Sequence, residues 1–289
     1  MTTREFTGRG WPRWAQELVR ALGIIAHAEP VPGGDINEAW QVELVDGRRV
    51  FVKSHGSPPP GLYAAEADGL AWLAEGPLRV PGVIAVGESF LALEWLELGA
   101  HGASTGGRWF DERLGRGLAQ LHRLGAPGLG HTRANYLATL PQDNAPAPDL
   151  ATFWIERRLR PVIEQLGDRA LLVRLDQLAA HPDRFGPPEP VARLHGDLWW
   201  GNVGNLHGEP VVFDPAVYGG HREIDLAMLA LFGGLRDRLI AAYQEVWPLA
   251  DGWRGRVGLW QLYPLACHAA LFGGGYVPQL ARSLDSVAA

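Results

Sequence analysis

The chain has 289 residues, 47% of them hydrophobic and 20% charged, enough for two lobes or one large domain. A net charge of −6 argues against a broad electrostatic nucleic-acid surface, and no apolar run reaches the length of a membrane span. The single cysteine, Cys267, excludes an internal disulfide or a cysteine metal cluster, and Met1 to Glu5 lacks the apolar core of a signal peptide, so the expected compartment is the cytoplasm.

Residues 11–22 place Trp14, Leu18 and Leu22 on one helical face, with Pro12 suited to a first turn. Ile24 to Val31 is a short apolar run that ends at Pro32-Gly33-Gly34-Asp35. Glu38 to Val45 and Arg48 to Lys53 alternate with the period of strands, and Asp46-Gly47 is a hairpin signal between them. Gly33-Gly34, between two strands, is a place where backbone N–H groups can approach a phosphate, although most such pairs are plain turns. No Walker sequence occurs in the chain.

Lys53 is the only lysine among 26 basic residues. A chain that otherwise uses arginine has kept one compact, flexible point charge, at the end of Val50-Phe51-Val52. That arrangement can place an ammonium over nucleotide phosphates. Gly61 to Glu75 is a predicted helix, and Glu66 on it is the expected carboxylate partner of Lys53, with Asp68 and Glu75 as alternatives. Val80 to Val86 and Ser89 to Leu96 are predicted strands. Glu94, Trp95 and Leu96 lead into a glycine-rich linker over Gly99 to Gly107. There the main chain can meet an adenine, or the segment is simply an edge strand.

Trp109 to Leu124 is amphipathic, with His122 packing or capping on its apolar face. Asn135 to Gln142 reads as a polar loop able to reach a substrate. Leu150 to Leu166 and Arg169 to Ala180 are predicted helices. Val191 to Asp214 reads strand, loop, strand, turn, strand. Pro215 to Gly220 reads as a loop, with a helix starting near Arg222. Helices over Leu235 to Val246 and Trp253 to Leu271 are expected to complete the core.

The chemistry-bearing stretch is Leu194-His195-Gly196-Asp197-Leu198-Trp199-Trp200-Gly201-Asn202. Asp197 and Asn202 are separated by four residues, and Asp214 follows Asp197 by seventeen, at the end of an apolar run. This is the H-x-D-x-x-x-x-N spacing of a phosphotransferase loop followed by a metal-binding aspartate. Asp197 is the candidate base toward a hydroxyl, and Asn202 and Asp214 are candidate Mg²⁺ ligands. A β-hairpin with a polar turn is the competing reading of His-Gly-Asp alone.

The order of these features resembles the protein-kinase-like fold and, more narrowly, the fructosamine kinase (ketosamine-3-kinase) family. The residues that carry the likeness are Gly33 to Asn37, Val50 to Lys53, Glu66 to Leu70, Asn135 to Gln142, His195 to Asn202, Asp214 to Met228 and Gly273 to Tyr276, nearly the whole chain. The resemblance implies an α+β bilobal architecture, with an N-lobe over 1–95 and a mainly helical C-lobe over 96–289. It implies ATP and Mg²⁺, with Gly33, Gly34, Lys53, Glu66 and the segment Glu94, Trp95, Leu96 at the nucleotide. Asp197 would be catalytic and Asn202 and Asp214 would hold the metal. Trp199, His221 and Glu223 would lie near the acceptor, and Asp225 would support the loop. The implied substrate is a ketosamine, small or protein-linked, phosphorylated on its 3-hydroxyl in deglycation, with no nucleic-acid or membrane partner. An aminoglycoside- or choline-type kinase and a nucleotide-binding pseudokinase are the alternatives.

Overall fold

Alternating apolar side chains build the amino-terminal sheet. The computed structural model describes residues 11–32, 37–99 and 107–288. Its strands β1 (Ile25–Pro30), β2 (Glu38–Leu44), β3 (Arg49–Ser54), β4 (Val83–Val86) and β5 (Phe90–Glu94) form an antiparallel sheet in the order β1-β2-β3-β5-β4. Successive β3 residues face opposite sides, as the pleat requires. Val50 and Val52 pack with Trp40, Val42 and Ala92 against helix α1 (Arg13–Leu22), which contributes Trp14 and Leu18. Phe51 and Lys53 face the other side, where helix α2 (Leu62–Leu73) lies.

The larger part is mainly helical. In chain order it comprises α3 (Arg108–Leu124), β6 (Asn135–Leu137), β7 (Leu140–Gln142), α4 (Leu150–Thr152), α5 (Arg160–Leu166) and α6 (Arg169–Ala179). Between α4 and α5, Phe153–Leu159 runs as a π-helical segment. The strands β8 (Ala192–Leu194), β9 (Val203–Leu206), β10 (Glu209–Val212) and β11 (Tyr218–Gly220) follow, then α7 (Glu223–Leu231), α8 (Asp237–Val246), α9 (Trp253–Phe272) and α10 (Tyr276–Ala288). Among the described residues no helix is long and apolar enough to cross a membrane.

The two parts share a core. Leu70 and Leu73 of α2, Leu91 and Leu93 of β5, and Leu114, Leu118 and Leu121 of α3 bury together with Leu198, Val203 and Val212 from the catalytic-type stretch. The Val212 amide donates to the Arg79 carbonyl at 2.9 Å, and the Gly99 amide donates to that of Asn205 at 2.8 Å. These bonds seat β9 and β10 against the connections of the sheet.

Three segments differ from the sequence reading. Asn135 to Gln142 is a tight hairpin rather than a loop, closed by Ala138 at φ 58°. Leu137 and Leu140 turn into the core, and Asn135 is buried, its Nδ2 donating to the Val217 carbonyl at 2.8 Å. The segment is therefore scaffold. Tyr218 to Gly220, expected as loop, pairs with β8, and Gly219 permits it: a Cβ there would lie 2.1 Å from the Gly128 carbonyl oxygen. Helix α10 adds an element after the triple glycine. Its Leu280 and Leu284, one turn apart, are fully buried with Leu171, Leu175 and Leu178.

Replacing Leu284 by Ala removes a buried side chain from that core and is expected to cost about 2–5 kcal/mol of stability. Urea unfolding of the variant beside the parent protein checks this. A midpoint unchanged within error would contradict a core role for α10.

Candidate active site

The catalytic-type stretch is shaped from below by one buried carboxylate. Asp225, on the first turns of α7, accepts the amide of His195 at 2.8 Å and that of Gly196 at 2.9 Å. The His122 Nε2 also donates to it, at 3.1 Å, and the other ring nitrogen of His122 meets the Tyr243 hydroxyl at 2.8 Å. Burial works against the charge of Asp225, but the hydrogen bond and charge of His122, with the His195 amide, hold its pKa below the usual range. Gly196 sits at φ 82°, and a Cβ there would lie 2.0 Å from the Ala216 carbonyl oxygen, so glycine is obligatory before Asp197. The His195 Nε2 donates to the Phe213 carbonyl at 3.0 Å, which leaves Nδ1 to accept the Asp197 amide at 3.3 Å. Burial lowers the pKa of this imidazole, so it is a neutral spacer.

On this base stand the acidic groups. Asn202 ends the loop, and its Nδ2 donates to the Asp197 carbonyl at 2.9 Å and to Asp197 Oδ2 at 3.2 Å. Asp214 follows β10 at φ 58°, a left-handed conformation uncommon for a residue with a side chain. Its Oδ1 meets Lys53 Nζ at 2.8 Å, and Glu66 Oε1 meets the same ammonium at 2.8 Å. Burial pulls the lysine pKa down, but the two carboxylates outweigh it and keep the charge. Burial pushes Glu66 up in spite of that ammonium. Burial first, then the Asp214 charge, push Asp197 up to about 7, against the opposing hydrogen bond from Asn202.

The structure therefore brings Lys53, Glu66, Asp197, Asn202 and Asp214 together. Asn202 and Asp214 fit a Mg²⁺ ion by donor type. With Nδ2 committed to Asp197, the amide oxygen of Asn202 is left over, and Asp214 supplies a carboxylate. Mg²⁺ is commonly held by one or two such side chains, with phosphates and water completing the shell. Gly33 and Gly34 lie outside the described residues. The Glu94 side chain is engaged by Arg79 and by the Gly82 amide at 3.1 Å, and Trp95 Nε1 donates to Glu97 at 2.9 Å. Leu96 offers its carbonyl to the Leu98 amide at 2.8 Å.

At the acceptor side the expected residues separate. Trp199 is 39% exposed. His221 and Glu223, expected beside it, are buried. Glu223 accepts from Arg256 at 2.6 and 2.9 Å and from Trp260 Nε1 at 2.9 Å. The His221 ring stacks on Trp260 with centroids 5.1 Å apart, and its Nδ1 accepts the Glu223 amide at 3.3 Å. Both hold the start of α7 against α9. His122, for which the sequence suggests only packing or capping, supports the loop through Asp225. The signal for this is a lone histidine on an apolar helix face, which needs a buried partner. Cys267 is fully buried on α9, and burial pushes its thiol up to about 12.

The chain as a whole is similar to known proteins. The family model described as fructosamine kinase matches residues 11–289. The probable ketoamine kinase HMPREF0351_12196 of Enterococcus faecium is 37% identical over 94% of this chain and 99% of its own. The structure of a Thermobifida fusca protein assigned as a fructosamine-3-kinase superposes with a TM-score of 0.85 at 37% identity, covering 96% of this chain and 99% of that one. A more distant likeness shows the protein-kinase-like bilobal fold: amicoumacin kinase hAmiN, in complex with AMP-PNP and Ca²⁺, has a TM-score of 0.60 at 15% identity over 94% of this chain and 92% of its own.

The raised pKa of Asp197 has a consequence for folding. The folded carboxyl holds its proton up to about pH 7, whereas the unfolded one releases it near 3.8. The folded state then binds more protons between these values, so stability falls as pH rises through that window. Asp197→Asn, which has no charge to bury, is expected to be more stable than the parent at pH 8, on the order of 1–3 kcal/mol. The gap should shrink toward pH 4. Thermal unfolding of the ligand-free proteins across pH 4–8 checks the sign, and a gap that widens on acidification would contradict it.

Proposed function

The chain belongs to the fructosamine kinase family, and from that premise we propose that it transfers the γ-phosphoryl group of ATP to the 3-hydroxyl of a ketosamine. It is a phosphotransferase that acts on ketosamines. The finer reading is that phosphorylation destabilises a glycation adduct, free or on a protein lysine, so that the amine is recovered. The observation that carries phosphoryl transfer is the meeting of Lys53, Glu66 and Asp214 beside the Asp197–Asn202 pair; family membership supports the ketosamine acceptor.

The roles follow from charge and reach. Lys53, held by Glu66, steadies the phosphates of the nucleotide. The main chain of Glu94, Trp95 and Leu96 meets the adenine, since the Glu94 and Trp95 side chains are already engaged. Mg²⁺, held by Asn202 and Asp214, would neutralise phosphate charge. Asp197 orients the sugar hydroxyl and takes its proton as the oxygen attacks phosphorus. A carboxyl with a pKa near 7 is well matched to that exchange at neutral pH. Transfer of this kind depends chiefly on positioning and charge neutralisation. We place the lobe boundary at 95/96 and the enzyme in the cytoplasm, with no nucleic-acid partner.

The test is phosphate transfer from ATP to ribulose- and fructose-derived lysine adducts side by side, with choline and an aminoglycoside as competing acceptors. Phosphorylation of an adduct on the 3-hydroxyl is expected. Transfer confined to choline or the aminoglycoside would overturn the reading. In the same assay Asp197→Asn should lose roughly 10²- to 10⁴-fold in kcat while retaining nucleotide binding. Near-parental turnover would remove Asp197 from the reaction. Lys53→Arg should lower kcat/KM for ATP by about tenfold or more, because a planar fork cannot occupy the place of a point charge between two carboxylates. Unchanged constants would show that this ammonium is not needed.

A further inference from the structure

Trp199 is the first of a run of rings that leads away from Asp197. Its indole lies on the backbone of Gly201, where a Cβ would sit 2.2 Å from two of its ring carbons. The indole is therefore seated by a glycine two residues on, although it is 39% exposed. Phe232, just after α7, meets Trp199 edge-on with centroids 6.1 Å apart. His268 of α9 follows at 5.1 Å from Phe232. Phe272, one turn further along α9, and Tyr276, at the start of α10, lie 5.6 and 5.2 Å from His268. Phe272 is 50% exposed. Four separate chain segments thus bring their rings to one strip that begins at the catalytic loop. Trp199 and Phe272, at its two ends, are exposed, and Phe232, His268 and Tyr276 between them are half-buried, so the strip offers ring surface to a ligand.

We propose that Phe232, His268, Phe272 and Tyr276 extend the Trp199 platform into a subsite for the amine substituent of the ketosamine, so that adducts of amines carrying an extended apolar or aromatic group are preferred. The proposal rests on the ketosamine reading above. Asp197 must reach a sugar hydroxyl, which puts the sugar beside Trp199, and one sugar face covers one ring. What is attached to the sugar then continues over the remaining rings. The linking nitrogen of a ketosamine is a secondary ammonium at neutral pH, and ring faces attract it. His268 adds a polar group of the right kind. Its Nδ1 lies 2.7 Å from the Pro264 carbonyl, which can only accept, so Nδ1 donates and Nε2 is the ring nitrogen left for a substrate group.

The test compares the fructose adducts of methylamine and benzylamine as acceptors with the full-length enzyme and its Phe272→Ala/Tyr276→Ala double variant. The parent is expected to favour the benzylamine adduct by about tenfold in kcat/KM, and the double variant to reduce that ratio at least about fivefold. A second variant, Gly201→Ala, should displace the indole and raise KM for both adducts more than KM for ATP. Equal kcat/KM for the two adducts in the parent, or a preference that survives the double variant, overturns the subsite while leaving the ketosamine reading intact. Turnover of neither adduct overturns that reading and the subsite with it. Sedimentation of both proteins supplies the remaining outcome: a parental dimer that the double variant dissolves, with the ratio unchanged, makes the rings an interface between two copies and overturns the proposal.

Discussion

One ammonium holds the two parts of the site together. Lys53 comes from the sheet, Glu66 from α2 and Asp214 from the loop after β10, and both carboxylates meet the lysine at 2.8 Å. The carboxylates keep the lysine charged in spite of its burial, and the lysine makes the burial of Glu66 tolerable. The balance is incomplete, because Asp197 adds a third carboxylate facing one cation. Burial first, and then the Asp214 charge that the one ammonium only partly offsets, raise its pKa. A site short of positive charge has a use for a divalent cation, and the spare oxygen donors on Asn202 and Asp214 are where it would be taken up. Burial and that neighbouring charge make Asp197 a stronger base than an exposed aspartate.

The geometry of that triad depends on where α2 is held, and the contacts that hold it come from the helical part. Asp68 meets His131 at 2.9 Å, and the His131 ring packs on Trp72 with centroids 4.7 Å apart. Arg193 of β8 donates to the Trp72 carbonyl at 2.8 Å and to Glu75 at 2.7 Å, while Tyr136 reaches the Pro60 carbonyl at 2.8 Å ahead of the helix. Gly69 lets α2 lie against Val217 and Pro215, where a Cβ would be 3.3–3.4 Å from their side chains. Asp68 and Glu75, the alternative partners for Lys53, therefore serve elsewhere. They fix the helix that presents Glu66.

Much of the site is legible in the sequence because its signals are local. The spacing of His195, Asp197 and Asn202 is short, and a solitary lysine at the end of an apolar strand stands out in any composition count. The other parts depend on contacts that sequence distance hides. His221 and Glu223 follow Asp214 closely and so read as neighbours of the acceptor. Their packing partners, Arg256 and Trp260, lie more than thirty residues further on and have no signal in the local spacing. Asn135 to Gln142 resembles a loop because Asn135, Thr139, Pro141 and Gln142 interrupt any long apolar run, yet Leu137 and Leu140 decide which way the hairpin folds. Helix α10 lies beyond a triple glycine, and its two core leucines are too few to announce it.

The loop itself divides its roles along its length. Its first residues are pinned from beneath: Asp225 accepts two successive amides, and Gly196 permits the approach to Ala216. Its last residues are pinned from the side: Asn202 donates back to Asp197, and Trp200 Nε1 donates to the Gly234 carbonyl at 3.0 Å under the Arg236 guanidinium. Asp197 is thereby held at both ends before any substrate arrives, as positioning catalysis requires. Trp199 is the member left facing outward, and Gly201 fixes even that ring by having no side chain to displace it. The Asp197 carboxylate and the outward surface are thus set by different residues of one short stretch. A change at the strip of rings therefore leaves the hydrogen bonds of the Asp197–Asn202 pair in place.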